Sequence, residues 1–183
     1  MKAGDILLCS GNSWMSRKIK FGNRLVGVKG EAAEITHVAT AYGVFEVFES
    51  TTMNKWADKR GVQSNASEAW LENYNGKVWR RRLSIDMDFI AQIVFVRDHV
   101  GDEYESGIAG LIELIACIFQ ANVRQNLDKV HCSEIVTALY QELGLLPRHL
   151  LANNFPPHTF WTGGEWETNL RRDVYLGEPV RLK

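Results

Sequence analysis

The sequence predicts an α+β fold in which a central antiparallel sheet packs against one late helix. Two observations carry that prediction: β-rich runs separated by turn residues in the first half, and a strongly periodic apolar helix from about Cys132 to Leu143. Gly4 and Asp5 form a turn before Ile6-Leu7-Leu8-Cys9, which reads as a buried strand closed by Ser10-Gly11-Asn12-Ser13. A helix follows over about Ser13 to Phe21. From Glu34 to Ser50, the runs Ile35 to Thr40 and Val44 to Glu49 flank Tyr42-Gly43, the pattern of a hairpin. Trp56 to Glu72 is mixed and polar, a loop with a short helix near Ser67, while Lys77 to Arg80 and Ile93 to Val96 read as further strands. Gly107 to Gln120 is apolar on nearly every side, as a buried helix is, and falls short of the roughly 18 apolar residues of a membrane span. The last helix is punctuated by Gly144 and Pro147. Its apolar positions Ile135, Val136, Leu139 and Leu143 recur at the helical period and place Cys132 on the inward face at the helix start.

The chain has 183 residues and is 45% hydrophobic, enough for one domain spanning 1–183. No internal repeat appears, and all four prolines sit late, so nothing marks a linker. Lys and Arg number 21 against 22 Asp and Glu, for a net charge of −1, which gives no bulk attraction to nucleic acid or to anionic membranes. Met1 to Ser10 has an apolar run broken by Asp5, unlike the core of a signal peptide, and a cytoplasmic protein without a transmembrane segment is expected. The three cysteines, Cys9, Cys117 and Cys132, form no close pair, which suits free thiols. The five histidines are scattered without metal-ligand spacing, so neither a metal nor a cofactor is expected.

Candidate chemistry gathers on three residues. A thiol at a helix N-terminus, as at Cys132, feels unsatisfied backbone N–H groups and the positive end of the helix dipole, and both favour thiolate. Cys9 and Cys117 lie inside apolar runs and read as core residues. A cysteine nucleophile needs a base, and the base needs a third group to orient it. If the hairpin loop is Tyr42-Gly43-Val44, His37 lies directly opposite Glu49 with Cβ atoms about 5 Å apart. A two-residue Tyr42-Gly43 loop turns Glu49 to the other face and makes Glu46 the nearer carboxylate. The residues themselves leave that register open.

The order and wording of these segments resemble a known family. Gly4-Asp5-Ile6-Leu7, Thr36-His37-Val38-Ala39, Val47-Phe48-Glu49-Ser50 and His131-Cys132-Ser133-Glu134 resemble the circularly permuted NlpC-type branch of papain-like cysteine hydrolases. The similarity is to its YiiX/YaeF-like group, with lecithin retinol acyltransferase as a more distant relative. In that branch the histidine strand precedes the cysteine helix, the order found here. The resemblance implies a permuted papain-like fold with Cys132 as nucleophile, His37 as base, Glu49 as third member and a three-residue hairpin loop. It further implies a cysteine peptidase or amidase that cleaves an amide bond in a peptide or cell-wall-like peptide. The alternatives are a lipid ester or thioester hydrolase or acyltransferase, and a non-catalytic amine- or peptide-binding module on the same fold. The expected partner is a peptide or an acyl-containing small substrate; oligomeric state is not legible.

Other conspicuous residues read as structural. Asp5 suits a turn carboxylate, and Glu134 suits the first helical turn, where an acid complements the dipole. His131 is expected at the surface, because adjacent helix positions point apart. In Arg80-Arg81-Arg82 alternate residues face opposite ways, giving a solvated face or a carboxylate-binding edge. Phe160, Trp161 and Trp166 suit either a cleft wall or core packing.

Overall fold

The strands are β1 (Ile6–Gly11), β2 (His37–Tyr42), β3 (Glu46–Thr51), β4 (Gly61–Ala66), β5 (Gly76–Arg81) and β6 (Val180–Arg181), with β-branched and aromatic residues prominent in β2 and β3. They make one antiparallel sheet in the order β4-β3-β2-β1-β5-β6. The computed structural model describes residues 1–51, 60–104 and 130–183; the expected helix at Gly107 to Gln120, with Cys117, lies outside them. β1 is central and covered on both faces, which is why it reads as a continuous apolar run rather than an alternating one. Ile6 and Leu8 join Val38, Phe48 and Val62 in the larger core, whereas Leu7 and Cys9 join Ala39, Val47, Val78 and Trp70 on the opposite face.

The helices are α1 (Trp14–Leu25), α2 (Ser67–Asn73), α3 (Phe89–His99), α4 (Cys132–Glu142) and the short α5 (Glu165–Thr168). Ser13 Oγ caps α1 by accepting from the Ser16 N–H at 3.0 Å. α4 supplies Ile135, Val136 and Leu139 to the larger core and ends at Leu143, after which Gly144 takes a φ of +67°. α2 covers the other face through the fully buried Trp70.

Two segments differ from expectation. Ile93 to Val96 is part of α3, not a strand. A four-residue apolar run fits either period, and here the cap decides: Asp88 Oδ1 accepts from the Ala91 N–H at 3.1 Å, and Gln92, Phe95 and Val96 then fall on one buried face. The polar run Gly61 to Ala66, expected as loop, is β4, because all six of its residues pair with β3.

The C-terminal region is tied to the sheet through Arg81. Its side chain is wholly buried, with Nε donating to Gly177 O at 2.9 Å, Nη1 to Phe160 O and Glu167, and Nη2 to Leu176 O and Glu167. Arg80 is partly buried and Arg82 exposed, so the triplet alternates as a strand requires, with a carboxylate on its inward member. Phe160 and Trp166 are core residues, stacked at 4.4 Å, and Trp161 packs edge-on against Trp79. Asp5 is buried in its turn, accepting from the Lys2 and Leu83 N–H groups at 3.0 and 3.2 Å. Among the described residues no helix is long and apolar enough to cross a membrane.

Candidate active site

The register of the β2-β3 hairpin sets the first contact. Tyr42 pairs with Glu46, Ala41 with Val47 and Thr40 with Phe48, so the three-residue loop is Gly43-Val44-Phe45. It sits one residue later than the Tyr42-Gly43-Val44 loop expected from the sequence. Gly43 takes a φ of +67°, the left-handed conformation that glycine adopts without steric cost, and this moves the turn forward. The shift corrects the pairing: Glu49 stands diagonal to His37 rather than directly opposite. Parity is unchanged, so the two still share a face, and a diagonal neighbour about 7 Å away at Cβ is within reach of long side chains. His37 Nε2 and Glu49 Oε2 meet at 2.7 Å. Glu46 lies on the opposite face and accepts from Ser64 Oγ at 2.7 Å.

Glu49 is buried and its second oxygen is fully engaged. Oε1 accepts from Trp70 Nε1 at 2.9 Å, Gln63 Nε2 at 3.1 Å and Asn65 Nδ2 at 3.3 Å. Three donors from β4 and α2 thus fix the carboxylate, and the carboxylate fixes the imidazole. Tyr74, just after α2, stacks on the His37 ring at 6.5 Å with an interplanar angle of 25°. None of these four supports was anticipated. Gln63 and Asn65 sit in the strand that the sequence did not disclose, and Trp70 carries no local mark distinguishing it from other core aromatics. The one available signal was the period-2 spacing of Gln63 and Asn65, which turns both amides to one face.

Cys132 opens α4 behind the N-cap residue His131, whose backbone is extended (φ −78°, ψ 163°). The helix packs on the larger-core face, and its first turn lies where β2 begins, which brings the thiol against the His37 ring. Burial favours the neutral thiol, but the His37 charge, a hydrogen bond with that ring, and the backbone N–H groups of Val38 and Ser133 outweigh it, holding the Cys132 pKa below its ordinary value. The converse holds for His37: burial opposes its charge, while Cys132 and Glu49 together push its pKa up. Each group thus favours the charged form of the other. With Nε2 on Glu49, Nδ1 is the ring nitrogen left for sulfur.

Cys9 behaves oppositely. Burial, then the nearby charges of Glu49 and Cys132, push its thiol well up, and it stays a neutral core residue.

His131 corrects the expectation of a surface role. As an N-cap residue it leaves the helical path, so the rule for adjacent helical positions does not apply; its ring is buried, edge-on to Tyr104 at 5.5 Å. Glu134 is buried in the first turn, its carboxylate accepting from the His131 N–H at 3.4 Å.

Cys132, His37 and Glu49 therefore converge on one cleft of about 540 Å³. Its walls are largely apolar, with Trp14, Met15, Ile19, Tyr74, Tyr104 and Pro157 among them. Among the described residues no cluster of three or more His, Cys, Asp or Glu is arranged to hold a metal ion. Compared with known proteins, the chain matches no protein-family model and no curated protein.

Proposed function

We propose that the protein is a cysteine hydrolase on a circularly permuted papain-like fold, with Cys132 as nucleophile, His37 as base and Glu49 as the residue that orients His37. The Cys132 thiolate attacks a substrate carbonyl carbon, forming a C–S bond and a tetrahedral oxyanion. Backbone N–H groups at the start of α4 face that oxygen. His37 gives its proton to the leaving group as the C–N or C–O bond breaks, leaving a thioester. A water molecule deprotonated by His37 then attacks the thioester, releasing the carboxylic acid product and restoring the pair.

A single observation carries this reading: a buried thiol against a half-buried imidazole, with that imidazole held at 2.7 Å by a fully hydrogen-bonded carboxylate. The acyl donor we propose is an amide in a peptide or cell-wall-like peptide, as the sequence resemblance implies. A lipid ester or thioester is the second reading, favoured by the apolar cleft walls around Trp14, Met15 and Ile19. Iodoacetamide labelling tests the chemistry. Rapid modification confined to Cys132 near neutral pH, and lost in His37→Ala, is expected; slow and equal labelling of all three thiols overturns catalysis and leaves a binding module.

A further inference from the structure

The outward face of α1 is apolar. Ile19 and Asn23 are the residues the helix buries, and Trp14, Phe21 and Leu25 project from the opposite side with exposures of 58%, 62% and 67%. Spacings of seven and four align these three in one stripe along the axis, where a surface helix ordinarily carries polar residues. Val26, just past the helix end, is also exposed.

Charge on the same helix has a single sign. The segment WMSRKIKFGNRL contains Arg17, Lys18, Lys20 and Arg24 and no acidic residue, in a chain whose net charge is −1. Lys20 and Arg24 are both drawn to Glu34. Among the described residues Arg17 and Lys18 have no acidic partner, and Lys18 Nζ lies 4.5 Å over the Trp14 ring. Basic residues flanking a Trp, Phe and Leu stripe are the composition of helices that lie in the plane of a membrane surface. A second exposed apolar group, Val44, Phe45, Phe89 and Ile90, provides a contrast within the molecule: its charged neighbours Glu46 and Asp88 are acidic, and it has no complementarity to an anionic surface.

Position adds meaning to composition. The first turn of α1, through Trp14, Met15 and Ser16, and then Ile19, lines the cleft that holds Cys132. We propose that α1 is an interfacial helix that seats Trp14, Phe21 and Leu25 at the headgroup–acyl boundary of an anionic bilayer, holding the α1 side of the Cys132 cleft against that surface.

Co-sedimentation with phosphatidylcholine vesicles containing about a third phosphatidylglycerol tests this. The full chain is expected to pellet with them, with binding weakened about tenfold or more on vesicles of phosphatidylcholine alone and reduced by high salt. The double variant Phe21→Ser, Leu25→Ser is expected to lose binding by about tenfold or more while iodoacetamide still labels Cys132 at the parent rate, which shows the fold and the site intact. Absence of binding to anionic vesicles, equal binding to neutral ones, or undiminished binding of the double variant overturns the proposal. So does self-association that the double variant abolishes in a chain that ignores vesicles, since the stripe is then a contact between copies. Vesicle binding does not depend on turnover: an inert Cys132 defeats the hydrolase reading and leaves this one standing.

Discussion

Two buried ion pairs of similar geometry, Arg81 with Glu167 at 2.8 Å and His37 with Glu49 at 2.7 Å, end in different ways. Arg81 has five N–H donors and all five are used: two on Glu167 and three on the carbonyls of Phe160, Leu176 and Gly177. The network is closed, and its contents are chain segments far apart in sequence. The His37 network is closed on one side only. Glu49 is saturated by Gln63, Asn65 and Trp70, but the other ring nitrogen of His37 faces a thiol in an open cleft. A saturated pair stabilises; a pair that terminates on a polarisable sulfur transmits its electrostatics to a reacting atom.

That contrast separates loss of activity from loss of fold. On the proposed mechanism Cys132→Ala is expected to lower hydrolysis by about 10⁴-fold or more, while thermal unfolding stays near that of the parent, since only the sulfur atom is removed. Arg81→Met has the complementary outcome. It leaves three carbonyls without their Arg81 donors and Glu167 with only the Gly163 N–H, so a loss of about 3–5 kcal/mol is expected in denaturant unfolding, with activity per folded molecule unchanged. If Arg81→Met instead lowers activity without lowering stability, the assignment of the two networks is reversed.

Glu49→Gln sharpens the comparison, because the amide oxygen still accepts from Trp70, Gln63 and Asn65 while the negative charge beside His37 is gone. A drop of about 10²-fold in kcat with little change in KM or melting temperature is expected from steady-state kinetics. The pH dependence of alkylation reads the same coupling. Because the folded-state pKa of Cys132 is held below its ordinary value of 9.0, its labelling rate should rise at lower pH than that of an unperturbed thiol. Without the imidazolium, as in His37→Ala, the thiolate loses its main source of stabilisation, and the rate should climb through the ordinary thiol range around 9.0. A profile in that variant unchanged from the parent's shows that His37 is not what lowers the thiol pKa.

Local signals made the ends of this site legible and long-range pairing hid its middle. Ile6 to Cys9, the hairpin strands and the helix opening at Cys132 were readable because each shows its own period within a short window. The support of Glu49 was not, since Gln63 and Asn65 belong to a polar strand whose only mark is its partner β3, and Trp70 reaches the carboxylate from α2, which covers the face that Glu49 points to. α3 hides for the related reason that Ile93 to Val96 is too short to show a period, and only the Asp88 cap fixes its state. His131 went astray where a helical rule was extended to a residue outside the helix.

The smallest effect tests the register itself. Glu46 and Glu49 are three apart on one strand, so any pairing that presents one to His37 turns the other away. With Tyr42 paired to Glu46, Glu46 meets Ser64 in an exposed setting, and its hydrogen bond there is worth little. Glu46→Gln is therefore expected to change kcat/KM by less than about twofold and stability by less than about 0.5 kcal/mol. The paired variants are more informative than either alone: a large loss in Glu49→Gln beside a negligible one in Glu46→Gln requires the three-residue loop at Gly43-Val44-Phe45, whereas the reverse ranking requires the hairpin to turn one residue tighter and puts a different carboxylate behind the imidazole.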